Sequence, residues 1–250
     1  LVAPALLLGH DGAISEIIFD AASQTLASAG ADGTVRLWRL PQAPEVLPSP
    51  GGAVTAFAMS LDGKSAAIAG THQERPAIFV IDVATGKTEQ TLLGHDAAVT
   101  AVAFSEDGQR IASGSADKTA RLWNLADPKF PEVQKAVHES AVTAVAVSTD
   151  GTQFYSAAAD NVIRVWSAAD GSEIRAVSGH TGGLSRLTVR GATLFSASAD
   201  GTVRLWKTAD GTAIRSLSHG AAVSSLAIDA EGNLIVSGGA DNNLKVWNAV

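Results

Sequence analysis

The chain holds 250 residues, enough for one large domain or two small ones, and its 46% apolar and 17% charged content excludes a disordered segment. Eighteen basic against 25 acidic residues give a net charge of −7, which disfavours a sequence-independent grip on nucleic acid or anionic lipid. Cysteine is absent, which excludes disulfides, thiolate metal sites and a cysteine nucleophile, and no apolar run approaches the roughly 18 residues that span a bilayer.

The first apolar run, Ala5–Leu8, lies in a stretch with no charged flank and reads as a strand rather than a signal-peptide remnant. An internal repeat begins directly after it. His10 is followed by Ser28, Asp32 and Trp38, at steps of 18, four and six residues. The series returns as His95, Ser113, Asp117 and Trp123, then as His138, Ser156, Asp160 and Trp166. It returns again as His180, Ser196, Asp200 and Trp206, and finally as His219, Ser237, Asp241 and Trp247. The His–Ser step is 16 at His180 and 18 in the other copies.

Trp123 follows Trp38 at a step of 85, about twice the usual interval, so this stretch holds a sixth, degenerate copy. It runs through Pro41–Pro50, Val54–Met59 and Ala77–Asp82, with Gly51, Ala69 and Ile81 at the His, Ser and Trp places. Ala69 to Ile81 spans 12 residues where the other copies have 10, which predicts a loop over Thr71–Pro76 longer by two than its equivalents. Within a unit every segment is strand-like: Val99–Phe104, a Glu106-Asp107-Gly108 turn, Arg110–Gly114, a Ser115-Ala116-Asp117 loop and Thr119–Trp123. A fourth run, such as Glu132–Val137 or Glu173–Val177, leads into the next His. Short strands with turn signals every 8–12 residues predict an all-β fold. A unit this small must stack on its neighbours to bury both faces.

The Gly-His pairs (Gly9-His10, Gly94-His95, Gly179-His180), the Ser-x-x-x-Asp loop and the closing Trp resemble the WD-repeat β-propeller family, and the resemblance covers the whole chain. The Asp usual after Trp is Arg39, Asn124, Ser167, Lys207 and Asn248 here. The resemblance implies a six-bladed propeller of four-stranded antiparallel blades forming one domain. Its repeats fall roughly at 1–40, 41–83, 84–125, 126–168, 169–208 and 209–250. Ala5–Leu8 would then complete the last blade beside Leu244–Trp247 and close the ring.

Grouped His, Ser and Asp side chains also invite a nucleophile reading. Five copies at one spacing would make five identical active sites, each facing a Trp. The resemblance implies instead a buried Trp–Ser–His–Asp hydrogen-bond relay in each blade, and the chemistry agrees, since a buried indole N–H needs an acceptor and a buried imidazole needs two partners. His residues about 40 apart do not converge on one ion, so no metal is expected. No catalytic residue and no cofactor is expected either, and the domain is read as non-enzymatic. The basic residue two before each Trp (Arg36, Arg121, Arg164, Arg204, Lys245) is expected on a solvated strand position.

Family members commonly bind peptides on the rim formed by the His and Asp loops. That rim is small-residued here, with Ala31, Ala116, Ala159, Ala199 and Ala240 before each Asp. The exception is His72, Gln73, Glu74 and Arg75 of the degenerate copy, with Glu16 nearby, and these are the candidate partner-binding residues. Ser15, Thr55, Thr100, Thr143, Ser185 and Ser224, second in each first strand, are expected to line the channel. The function expected is a protein-interaction scaffold, or the binding domain of a larger protein, that takes a protein or peptide rather than nucleic acid or membrane and is monomeric as an isolated domain. The alternative is a small-ligand sensor using the hydroxyl-lined channel.

Overall fold

The computed structural model describes residues 11, 14–20, 25–30, 32–39, 45–48, 53–127, 132–229, 232–241 and 243–249. Ala5–Leu8, His10, Gly51 and all of Pro41–Pro50 except 45–48 lie outside them, as do the side chains of Ser15, Glu16 and Trp38.

The described residues form strands and turns with no helix, in six antiparallel sheets. Blade one is β1 (Ile14–Asp20), β2 (Thr25–Gly30), β3 (Thr34–Arg39) and β4 (Glu45–Pro48). The degenerate repeat builds a complete second blade: β5 (Ala56–Met59), β6 (Ser65–His72), β7 (Arg75–Asp82) and β8 (Thr88–Leu93). Blade three is β9 (Val99–Phe104), β10 (Arg110–Ser115), β11 (Thr119–Asn124) and β12 (Glu132–Val137). Blade four is β13 (Val142–Val147), β14 (Gln153–Ala158), β15 (Ile163–Ser167) and β16 (Glu173–Val177). Blade five is β17 (Leu184–Arg190), β18 (Thr193–Ser198), β19 (Thr202–Lys207) and β20 (Ala213–Ser218). The sixth sheet has three strands among the described residues, β21 (Val223–Ile228), β22 (Leu234–Gly239) and β23 (Leu244–Asn248).

The turns follow from local chemistry. After β9, Ser105 Oγ donates to Asp107 Oδ1, which also accepts the Gln109 N–H, while Gly108 takes φ 68°. The same Ser-x-Asp-Gly turn follows β5 and β13, with Ser60 on Asp62 and Ser148 on Asp150. Such side-chain bonds stand in for backbone turn bonds, and glycine supplies the left-handed conformation at little cost.

The core is made between blades. Val35 and Leu37 of blade one pack with Val54, Phe57, Ile68 and Ile81 of blade two. Ile78 and Val80 of blade two meet Val99, Ile111 and Trp123 of blade three. Ala120 and Leu122 meet Phe154 and Trp166, Ile163 and Val165 meet Leu194 and Trp206, and Val203 and Leu205 meet Ile235 and Trp247. Each third strand therefore presents two apolar residues to the blade after it. Blade six presents Leu244 and Val246 at those places, 75% and 66% exposed, where Val203 and Leu205 are 0% and 2% exposed.

One expectation is corrected. The two surplus residues of repeat two do not lengthen a loop. They lengthen β6 and β7 to eight residues each, paired through Thr71↔Pro76 and His72↔Arg75, and leave a two-residue turn at Gln73-Glu74. The equivalent loop in blade three has three residues, Ala116 to Lys118. A type I′ hairpin turn takes positive φ at both central positions, and Gln73 and Glu74 take 48° and 65° although neither is glycine.

Candidate functional site

In blade three the predicted relay residues meet. Trp123 Nε1–H donates to Ser113 Oγ (2.7 Å), Ser113 Oγ lies 2.8 Å from His95 Nε2, and His95 Nδ1 lies 2.8 Å from Asp117 Oδ2. A carboxylate only accepts, so the imidazole proton is on Nδ1 and Nε2 accepts from the serine hydroxyl. Blade five repeats this with Trp206, Ser196, His180 and Asp200 at 2.7–2.8 Å. In both blades the carboxylate also accepts the amide after the histidine, from Asp96 or Thr181. In blade one Asp32 likewise accepts the Asp11 amide at 3.0 Å, and Ser28 is buried.

Blades four and six depart from this order. His138 Nε2 meets Ser156 at 2.7 Å and Trp166 donates to Ser156, but Asp160 pairs with Arg164, whose guanidinium stands 3.5 Å from His138 Nδ1. A guanidinium only donates, so here the proton is on Nε2 and the direction of the relay is reversed. His219 is turned over, with Nδ1 on Ser237 and Nε2 on Asp241, while Trp247 donates to Ser237. Both histidines lack the preceding glycine, having Val137 and Ser218 there. The reason is steric: a Cβ at Gly94 would stand 2.7 Å from Arg121 Nη1, and one at Gly179 would stand 2.9 Å from the Trp206 ring.

Burial pushes the His95 imidazole below its ordinary value, against the opposite pull of Asp117, and does the same at His180 against Asp200. His138 lacks a carboxylate partner, and burial with the nearby Arg164 lowers it to about 4. Burial acts to raise the Asp117 carboxyl, but hydrogen bonds from Thr119, the Asp96 amide and His95 outweigh it and hold it well below the usual range. Unfolded histidines bind protons from about pH 6.5 downward, whereas folding holds His95, His138 and His180 below that value, so their contribution to stability is lost as pH drops below it. Between pH 6.5 and 4, His138 alone is expected to contribute up to about 1.4 kcal/mol of lost stability per pH unit, and the carboxylates add their loss below about pH 4. A His138→Gln variant should show a flatter urea-midpoint profile over that window. An unchanged slope would assign the acid sensitivity elsewhere.

The basic residues before each Trp are not on solvated positions, which corrects the sequence expectation. Arg121 is 5% exposed and paired with Glu132, Arg164 bridges Asp160 and Glu173, Arg204 stands over the Trp206 ring, and Lys245 donates to the His219 carbonyl. The hydroxyls expected to line a channel are also engaged: Thr100 donates to the Val142 carbonyl and Ser185 to that of Val223, each on the next blade, while Thr143 and Ser224 reach Ala157 and Gly238. Thr55 is exposed. Arg186 donates to the Ser185 carbonyl.

A second periodic set was not anticipated from the sequence. Gln90 donates to the Leu125 carbonyl, Gln134 to Ala169, Arg175 to Thr208 and Ala209, and Arg215 to Asn248. Each sits at one register place on a fourth strand, opposite Val80, Leu122, Val165 and Leu205, and each clasps the next blade. A long donor two residues before the last buried apolar residue of each fourth run was the available signal. Glu45 holds that place in blade one, opposite Leu37.

At the rim of blade two, Gln73, Glu74 and Arg75 are exposed, and the His72 ring meets the buried Phe79 edge-on at 6.0 Å. Among the described residues no group of three or more His, Cys, Asp or Glu side chains is arranged to hold a metal, and no helix is long and apolar enough to cross a membrane.

Stacked antiparallel sheets of up to four strands, with a buried Trp–Ser pair joining the third and second strands of blades three, four and five and a partly buried pair in blade six, define the class of β-propeller repeat proteins. Five segments, 4–39, 86–124, 132–167, 171–207 and 211–248, match the WD domain, G-beta repeat, and the chain belongs to that WD40 family. The degenerate second repeat falls between the first two matches. Autophagy-related protein 16 of Arabidopsis thaliana is 34% identical over 119 residues, 46% of this chain and 23% of that protein. WD repeat-containing protein 1 of Bos taurus is 34% identical over 112 residues, 42% of this chain and 18% of that protein. Vegetative incompatibility protein HET-E-1 of Podospora anserina is 51% identical over 49 residues, 20% of this chain and 4% of that protein. The chain thus matches less than a quarter of the length of each of these relatives. WD-repeat proteins are generally protein-interaction scaffolds, are typically non-enzymatic and commonly bind proteins or peptides.

Proposed function

We propose that this chain is a single, non-enzymatic interaction domain that takes a protein or peptide partner at the rim of blade two, with His72, Gln73, Glu74 and Arg75 as the contact. The observation that carries this reading is the β6–β7 hairpin, which is longer than its counterparts and holds two non-glycine residues at positive φ. Such conformations cost of order 1 kcal/mol or more each and cluster at functional sites. Arg75 is the anchor, because guanidinium groups grip carboxylates with two hydrogen bonds and are enriched at binding hot spots. Glu16 is assigned to the same surface from its place in the sequence, and its side chain lies outside the described residues. The net charge of −7 favours a protein partner over nucleic acid. The channel reading is less favoured, since Thr100 and Ser185 spend their hydroxyls on neighbouring blades.

Arg75→Glu, at the exposed start of β7, is expected to leave the melting temperature unchanged and to abolish capture of the partners that the unaltered domain retains from native extract. Capture of the same partners at the same affinity would exclude this surface.

A further inference from the structure

On the other side of the blades, between blades four and five, lies a solvent-open pocket of about 420 Å³ lined by Asp150, Gln153, Tyr155, Gly191, Ala192 and Thr208 among others. Its origin is the short His–Ser step of one repeat. In blades three and four a five-residue turn joins the first two strands, whereas Arg190 and Thr193 pair directly around Gly191-Ala192 in blade five. The missing residues leave the end of β14 uncovered. At the preceding interface the place of Gln153 is taken by Arg110, whose guanidinium reaches the Gly151 carbonyl, and the space there is about 180 Å³.

The pocket wall has fixed polarity. Arg175 is held by the Thr208 and Ala209 carbonyls and donates to Gln153 Oε1 at 3.3 Å, and the Tyr155 hydroxyl points to the same oxygen at 3.4 Å. With Oε1 thus engaged, Gln153 Nε2 has no hydrogen-bond partner among the described residues and is a free donor. Asp150 Oδ1 is occupied by Ser148 and Thr152, which leaves Oδ2 as an acceptor. A donor and an acceptor side by side suit hydroxyl groups, each of which does both. A cation would face the Arg175 guanidinium and an anion the Asp150 carboxylate, so the pocket selects against net charge.

We propose that this pocket is a binding site for a small neutral polyol of monosaccharide size. Its volume lies in the range of about 300–1,000 Å³ usual for small-molecule sites. This inference concerns a surface separate from the blade-two rim and does not depend on it.

The test is a titration of the full chain with myo-inositol, followed by amide NMR shifts at Gly191, Ala192 and the Gln153 side chain, with cyclohexanol and choline as controls. Saturable shifts with a Kd on the order of 1 mM are expected for a ligand of about a dozen heavy atoms. Gln153→Leu should weaken binding about tenfold, the loss of a directed hydrogen bond. Ala192→Trp, on an exposed turn, should block the pocket without affecting the melting temperature. Absence of shifts, equal affinity in both variants, or tighter binding of cyclohexanol or choline would overturn the proposal.

Discussion

Deletion of residues 1–8 is expected to lower the melting temperature by well over 10 °C or to cause aggregation, the largest effect of any change considered. The repeat order puts Ala5–Leu8 at the fourth-strand place of blade six, and β23 has no second neighbour among the described residues. Leu244 and Val246 already stand exposed on the face that buries equivalent residues in every earlier blade. On that assignment the deletion would leave β23 as an unpaired edge beside apolar surface, the combination that templates aggregation. Stability in repeat arrays is a sum over neighbouring interfaces, so a terminal blade that loses a strand loses its share of that sum. Differential scanning calorimetry with light scattering reads both outcomes. An unchanged transition would mean that the terminal segment does not close the ring.

The second large effect is expected at the relay of blade three. Trp123→Ala should cost about 3–5 kcal/mol, from the cavity left between blades two and three. Ser113→Ala should cost about 1–3 kcal/mol, because the indole N–H and His95 Nε2 lose their shared partner in a dry site. His95→Ala should cost more than His138→Ala, since His95 links Ser113 to Asp117 whereas His138 has no carboxylate bond to lose. Chemical denaturation of the four variants ranks them. Equal losses at His95 and His138 would show that the carboxylate end of the relay contributes nothing.

The strand plan was almost wholly legible, because alternation and turn residues act locally: Val99–Phe104, Glu132–Val137 and Glu173–Val177 end where the sequence pattern puts them. The surplus in repeat two was visible as a count, but a count does not say whether residues join the turn or the strands. That depends on Gln73 and Glu74 adopting left-handed conformations, which side-chain type disfavours. Spacing also placed His138 and Asp160 as partners, yet Arg164 stands between them. Arg204 occupies the same sequence position in blade five without intervening between His180 and Asp200. The two blades also differ in the residue before the histidine, Val137 in one and Gly179 in the other. The pocket between blades four and five was foreshadowed by the step of 16 rather than 18, whose meaning emerges only where two blades face each other.

The clasps formed by Gln90, Gln134, Arg175 and Arg215 all end on main-chain carbonyls. A carbonyl is the same whatever residue bears it, so each unit needs nothing particular from its successor beyond the right backbone path. Units of this kind tolerate duplication, transposition and independent divergence at their loops, since no matched pair of side chains must change together. Blade two has used that latitude on one face and blade five on the other.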